Sequence, residues 1–500
     1  MSLFAQQDAR IFSQYHVVVE CLDCHHLSPY SLLATTCPKC GGQWFEARYA
    51  YDAIAPRLPE ATIVRPNDLW RYKEVLPLSG PNPLLTMGEG GTPLLQVANL
   101  GMMLGSTNIF VKDERQGPTH SFKDRQAALS VAALKEAGIT EFVLASTGNV
   151  AISYSAFAAR AGIKLWAFLT SLVPGEKMRE VAIYGTQVVK VTASYDVAKS
   201  LAAEFARQRG LYLERGSRSV TSVEAMKTIA YEISEQLANS IGAPPVARRP
   251  DSPYPSAPPW RAPDWYIQPV SGGLGPQGVL KGFEELYEMG LIDKIPALAC
   301  IQTEGCAPMV RAWKQGLMQA EPIANPRTHI ATLSTGDPGR TYTWLRQRMQ
   351  RAQELGAGGG GVFEMVTDEE AFRTIHIIAK MEGLSIEPAS AVGFAGMIKL
   401  MRAGIIKPND IVAINCTGHT MPIEKEILGE NWARTLAPSI RGVETAAATL
   451  QQATIPDSPE EGLLAALSRV TSERFPRVLV VDDTPDARRL ILRILKCFFR

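Results

Sequence analysis

The stretch "PTHSFKDRQAALSVAALKEAGITEFVLASTGNVAISYSAFAARAGIKLWAFLT", residues 118–170, switches between two periodicities. Over 121–138 and again over 149–162 the apolar residues recur at helical spacing, and each run ends on a glycine, the residue that most readily closes a helix. Between and after them, "EFVLAS" (141–146) and "KLWAFLT" (164–170) are short apolar runs suited to strands buried on both faces. Helix and strand in alternation predict an α/β fold, a mostly parallel sheet wrapped in helices.

Outward from this stretch the same alternation extends over about 51–430. "QVVKVTA" (187–193), "DWYIQPV" (264–270) and "IVAINCTG" (411–418) read as further buried strands, and "YDVAKSLAAEFARQRG" (195–210) as a helix. The proline-rich run 242–265 is expected to be an extended surface insertion.

A chain of 500 residues exceeds one compact core, so several packed units are expected. With 51 basic against 50 acidic residues there is no electrostatic reason to bind nucleic acid or an anionic membrane. No apolar run reaches the ~18 residues of a membrane span, and the N-terminus lacks a secretory pattern, so a cytoplasmic location is expected. Partners are therefore expected to be small molecules or copies of itself.

Four of the eight cysteines cluster: Cys21, Cys24, Cys37 and Cys40 form two C-x2-C knuckles twelve residues apart, followed by a Gly-Gly turn. Four thiolates so arranged suit a closed, structural zinc, and define a ribbon over residues 15–50. His25 and His26 are competing ligands by position, but four cysteines fill the site. The remaining cysteines (Cys300, Cys306, Cys416, Cys497) are scattered, which reads as packing and not as a disulfide framework.

In parallel sheets ligands collect where strands end and helices begin. Three such junctions carry chemistry. At the first, Thr119 or Ser121 is positioned to cap the helix and leave Lys123 in its opening turn. There the helix dipole disfavours a cation and eases deprotonation, as an amine needs in order to form a Schiff base with an aldehyde. At the second, "STGN" (146–149) offers hydroxyls, backbone amides and the Asn149 carboxamide to an anionic or phenolic oxygen. At the third, "SGGLG" (Ser271, Gly272, Gly273, Leu274, Gly275) presents bare N–H groups able to cradle a phosphate. An aldehyde, a phenolate oxygen and a phosphate together describe pyridoxal phosphate, and Thr417 in "NCTGHT" (415–420) offers a hydroxyl to its ring nitrogen.

On "SFKDR", "STGN", "EAMKTIAYEI" (224–233), "TDEEAFRTIHIIAKMEGLSIEPASAVGFAG" (367–396) and "CTGH" (416–419), the chain resembles the fold-type II pyridoxal-phosphate enzymes over about residues 15–430. Among them it is most similar to the threonine synthases, one subgroup of which carries an N-terminal zinc ribbon. The resemblance implies a two-domain α/β catalytic region and a homodimer. It implies that Lys123 carries the cofactor and acts as base, that Asn149 meets the phenolic oxygen, that 271–275 hold the phosphate, and that Thr417 faces the ring nitrogen. Ser146, Thr147 and Gly148 would bind the substrate carboxylate, and Glu387 would lie near the cofactor. The implied reaction converts O-phosphohomoserine and water to threonine and phosphate.

Two positions depart from the pattern. The arginine that the family associates with the substrate phosphate falls on Ser222, leaving Ser217, which matches, and Arg218 as the candidate phosphate ligands. His120 stands where glycine is common. The alternatives are another pyridoxal-phosphate replacement or elimination, such as cysteate synthesis from O-phosphoserine, or a regulatory binding protein with a degenerate site. Beyond the catalytic region, 431–476 reads as a linker. Residues 477–500 resemble the opening βα unit of a response-regulator receiver, with an acidic pair at Asp482 and Asp483.

Overall fold

The computed structural model describes residues 12, 14, 16–78, 80–170, 173–240 and 258–420. The expected linker and receiver-like unit lie outside them, as does Cys497.

Strands β1 (Val18–Cys21), β2 (Leu27–Pro29) and β3 (Phe45–Arg48) form a small antiparallel sheet, ordered β2-β1-β3, that carries the cysteine knuckles. The chain then begins a second sheet with β4 (Leu94–Gln96) and β5 (Ile109–Asp113) and leaves it for a third. That third sheet is wholly parallel: β6 (Glu141–Ser146), β7 (Lys164–Thr170), β8 (Gln187–Val191) and β9 (Tyr212–Leu213), ordered β8-β7-β6-β9. The chain returns to the second sheet with β10 (Trp265–Pro269), β11 (Ala297–Thr303), β12 (Gly361–Val366) and β13 (Val412–Cys416). Its order is β12-β11-β10-β13-β5-β4, parallel except for the β4 edge.

Helices α1 (Lys123–Glu136), α2 (Asn149–Ala161) and α3 (Tyr195–Arg209) connect strands around the third sheet. α2 and α3 stop where Gly162 and Gly210 adopt left-handed backbone at φ of 67° and 63°, conformations that cost a side chain but not glycine. Helices α4 (Val220–Ser240), α5 (Leu274–Glu288) and α6 (Pro388–Arg402) are lined with buried residues and pack around the second sheet.

The end of the proline-rich run departs from the expectation of a surface insertion. Trp260 is buried, edge-on to Tyr72 and close to Tyr231, and Ala262 is buried with it. An indole offers too much apolar area to leave in water when two tyrosines line a site for it. Cys300, Cys306 and Cys416 are fully buried, as packing residues should be.

Candidate active site

Lys123 begins α1, but not by the cap expected from sequence. Phe122 occupies the N-cap position with no side-chain cap bond. The Thr119 hydroxyl and N–H both donate to the Asp124 carboxylate, and the Ser121 hydroxyl is buried without a partner. Tertiary pairing sets this entry instead. The Phe122 N–H donates to the Thr417 carbonyl at 3.0 Å, and the His419 N–H to the His120 carbonyl at 3.0 Å, around a bridge between Ser121 and Gly418. His120 takes left-handed backbone at φ 60°, and its exposed ring lies with Nδ1 3.2 Å from the Arg115 carbonyl, outside the cavity. The bridge brings the start of α1 beside the end of β13, so two distant motifs meet.

A cavity of about 500 Å³ lies at the carboxyl ends of β6, β10 and β13. It is lined by Lys123, Thr147, Asn149, Ser217, Arg218, the whole of 271–275, Glu387 and Thr417. Burial lowers the Lys123 amine to about 8, against an opposite pull from the Glu387 carboxylate. Glu387 also ties the two expected cofactor contacts together: Asn149 donates to its Oε2 at 2.8 Å, and the Thr417 hydroxyl to its Oε1 at 2.9 Å. Ser390 lies 2.8 Å from the same Thr417 hydroxyl.

Two expected residues are not on the cavity wall. The Ser146 hydroxyl is buried and accepts the Gly148 and Ala151 N–H groups at 3.0 and 3.1 Å, so it holds its own turn together. Gly148, at φ 142°, turns the chain into α2 and would bring a side chain against Thr332 and Lys177. Ser222 is also off the cavity wall, one residue behind it: its buried hydroxyl donates at 2.9 Å to Glu214, which does line the cavity, and lies 3.3 Å from that of Tyr154. Conversely, no local pattern pointed to Lys177. It is buried with Nζ 3.3 Å from Asn149 Oδ1 and 3.9 Å from Glu387 Oε2.

The 271–275 loop fits a phosphate cradle. Gly273 is left-handed at φ 91°, and a side chain at Gly275 would overlap the Gln268 amide. The first-turn N–H groups of α5 have no intrahelical acceptor and form the positive end of the helix dipole. A lysine with a depressed pKa, a phosphate cradle, a carboxamide and a hydroxyl on one wall match the donor set that pyridoxal phosphate requires.

The cysteine ribbon forms part of the same wall through Trp44. The sulfurs of Cys21 and Cys40 are 3.6 Å apart, those of Cys24 and Cys37 3.7 Å, and all four lie within 4.8 Å of one another. A tetrahedron with metal–sulfur bonds of ~2.3 Å has edges of ~3.8 Å, so the cluster fits one tetrahedral ion. Gly41, left-handed at φ 75°, makes the turn, and Gly42 donates its N–H to Cys40 Sγ at 3.4 Å. His25 is turned to Glu20, its Nδ1 2.6 Å from Oε1, and does not join the cluster.

Residues 85–418 match the family of pyridoxal-phosphate dependent enzymes. The chain is 32% identical to the threonine synthase of Methanocaldococcus jannaschii, over 80% of this chain and 91% of that one. It is 30% identical to that of Methanosarcina acetivorans, over 81% and 92%. Among solved structures, the processed form of threonine deaminase isoform 2 from Solanum lycopersicum superposes with a TM-score of 0.51 at 20% identity, over 67% of this chain and 85% of that one. Escherichia coli diaminopropionate ammonia lyase superposes with 0.53 at 15%, over 69% and 92%. Those two likenesses concern the fold. The match over residues 85–418 makes the chain a member of the pyridoxal-phosphate-dependent enzyme family, and a lyase within it.

Proposed function

We propose that the protein is a threonine synthase, releasing phosphate from O-phosphohomoserine and adding water to give threonine. The observation that carries this reading is the 32% identity to a threonine synthase over 80% of the chain, combined with a cavity that has Lys123 on its wall and cationic Arg218 with Ser217 on the same wall.

Pyridoxal phosphate, bound there, would supply an electron sink for charge developing at the substrate Cα. The 271–275 loop would hold its phosphate, Asn149 its phenolic oxygen and Thr417 its ring nitrogen. Thr417 can hydrogen-bond that nitrogen without delivering a full positive charge to it. Lys123, at a pKa of about 8, keeps a reactive neutral fraction near neutrality and serves as the base that takes the Cα proton. Thr147, with the N–H groups that open α2, would receive the substrate carboxylate, and Ser217 and Arg218 its phosphate. Zinc in the four-cysteine cluster would be structural, with no position open to water.

The test is phosphate release by the cofactor-loaded protein from O-phosphohomoserine and from O-phosphoserine, with the amino-acid product identified and Lys123→Ala as control. Threonine from the first substrate, with turnover down at least ~10²–10⁴-fold in the variant, supports the reading. Release from O-phosphoserine alone overturns it in favour of a sibling replacement reaction.

A further inference from the structure

The turn that carries Ser217 and Arg218 holds a second guanidinium on the cavity wall, that of Arg215. Gly216, left-handed at φ 57°, makes the turn tight, and the Arg218 N–H donates to the Arg215 carbonyl at 3.3 Å. Both arginines are fastened to the cysteine ribbon. Arg215 Nη1 donates to the Thr35 carbonyl at 3.3 Å, two positions before Cys37, and Arg218 Nη1 to Gln43 Oε1 at 3.1 Å, three positions after Cys40. Among the described residues neither guanidinium has a carboxylate partner, and Arg215 Nε is buried with no hydrogen-bond partner at all.

Alongside the two arginines the cavity wall carries Lys199 and the carboxylates Glu214, Asp337 and Glu387. Lys199 lines the same cavity and is paired with Asp196. Glu214 lies next to the turn; burial raises its carboxyl against the pull of the Arg215 charge, its Oε1 is used by Ser222 and the Gly216 N–H, and its Oε2 is buried without a hydrogen-bond partner. Burial and the neighbouring Arg215 push the Arg218 guanidinium below its ordinary range. Two half-buried, neighbouring guanidinia, one with an orphaned N–H, are suited to one dianion, since planar guanidinium forks match a phosphate's oxygens.

We infer that Arg215 and Arg218 together anchor the substrate's phosphate, and that the metal-loaded ribbon sets the strength of this anchor by holding both guanidinia through Thr35 and Gln43. The ribbon is then a wall of the substrate site. It is attached to the helix Thr341–Glu354 and its N-cap: Asp23 pairs with Arg340, Glu46 with Arg348, and Trp44 stands edge-on to Trp344 with ring centres 4.5 Å apart. Loss of the metal frees the loop that bears Thr35 and the strand entry that bears Gln43 and Trp44. This inference rests on the reading that the substrate is a phosphate ester.

The test uses inorganic phosphate as the probe, titrated calorimetrically into cofactor-loaded protein, whose own cofactor phosphate site is already filled. Arg215→Ala and Arg218→Ala are each expected to weaken phosphate binding roughly 10- to 100-fold, and Arg215→Lys less. Gln43→Ala, a change at an exposed side chain, is expected to weaken it a few-fold. Chelator-treated protein, with its metal content measured and its cofactor band retained, is expected to lose affinity at least tenfold, whereas in the Arg215→Ala, Arg218→Ala double variant chelation changes nothing further. Unchanged phosphate affinity in both arginine variants overturns the anchor. Equal affinity with and without metal, or an equal loss on chelation in the double variant, overturns the role of the ribbon. If phosphate binding depends on the arginines while O-phosphohomoserine is not turned over, the threonine synthase reading fails and the anchor stands.

Discussion

The side-chain amide of Asn149 donates to Glu387 Oε2 at 2.8 Å, joining the first residue of α2 to the N-cap of α6. Because the other oxygen of Glu387 receives Thr417, one carboxylate sets the orientation of two cavity donors and also pulls the Lys123 amine upward against burial. A carboxamide has one acceptor oxygen, so Glu387→Gln strands one donor and removes the charge. The neutral amine is the reactive form, so in the parent apoprotein the rate of cofactor uptake rises about tenfold per pH unit and levels above about 8. In Glu387→Gln the levelling is expected at lower pH, with cofactor affinity down ~3- to 10-fold. The growth of the visible cofactor band against pH measures both. An unmoved midpoint would mean that Lys123 does not feel Glu387.

Gly275 leads to a second expectation. The Gln268 amide lies where a side chain at 275 would go, and Gln268 is itself held by the Tyr266 hydroxyl at 2.7 Å, so it cannot move without losing that bond. Gly275→Ala is expected to cost ~1–3 kcal/mol of stability and at least ~10-fold in cofactor affinity, as the first turn of α5 shifts away from the phosphate. Denaturant midpoints and fluorescence titration of the apoprotein with pyridoxal phosphate separate the two effects. Full affinity in the variant would place the cofactor phosphate elsewhere.

Legibility in the sequence followed the range of the forces involved. β6 and β7 coincide with the expected runs because each is a continuous apolar segment cut off by polar residues, and α2 and α3 end at the expected glycines because a helix stop is a local event. The cysteine knuckles and the Lys123, Asn149, 271–275 and Thr417 set are likewise local motifs, and the latter set meets in one cavity. The capping expectation failed because the pairing of 120–122 with 417–419 is tertiary and overrides a hydroxyl's local options. Ser146 failed for the opposite reason: its hydroxyl is consumed two and five residues away. Arg215 had no signal, since only the position of the ribbon shows that this arginine, among many, faces the cavity.

If the four-cysteine cluster holds zinc, its removal should act locally. A structural zinc contributes on the order of 10 kcal/mol to a small domain, and the three short strands here cannot replace that. Cys37→Ser is expected to lower the metal content below one ion per chain and to open 21–44 to protease first, while 85–418 resists. Limited proteolysis read by mass spectrometry, alongside metal analysis, tests this. Equal protease resistance in the variant would mean that the ion pairs to Arg340 and Arg348 hold the ribbon without metal.

Between α4 and α5 lies a charge cluster that no catalytic step uses. Lys227, Lys281, Glu224 and Glu285 are all fully buried where α4 packs on α5, with Lys227 2.5 Å from Glu224 and 3.0 Å from Glu285, and Lys281 3.0 Å from Glu224. Tyr51 and Tyr231 donate to Glu285 and Tyr49 to Glu224, each at 2.8 Å, so every carboxylate is paired and hydrogen-bonded. Burial alone would raise the Glu285 carboxyl, and the two ammonium groups more than offset it, leaving its pKa lowered. Its contribution to stability is therefore present above the ordinary carboxylate range and is lost as pH falls through the depressed folded value. Glu285→Ala leaves two buried ammonium groups short of a partner and two tyrosine hydroxyls without an acceptor. A loss of ~3–5 kcal/mol is expected from denaturant unfolding at neutral pH. The Lys281→Met, Glu285→Leu pair, which removes both charges, should recover a large part of it, because the cost lies in the uncompensated charge. If the double variant is as unstable as the single one, the tyrosine hydrogen bonds, and not the ion pairing, are what this cluster supplies to the junction of α4 and α5.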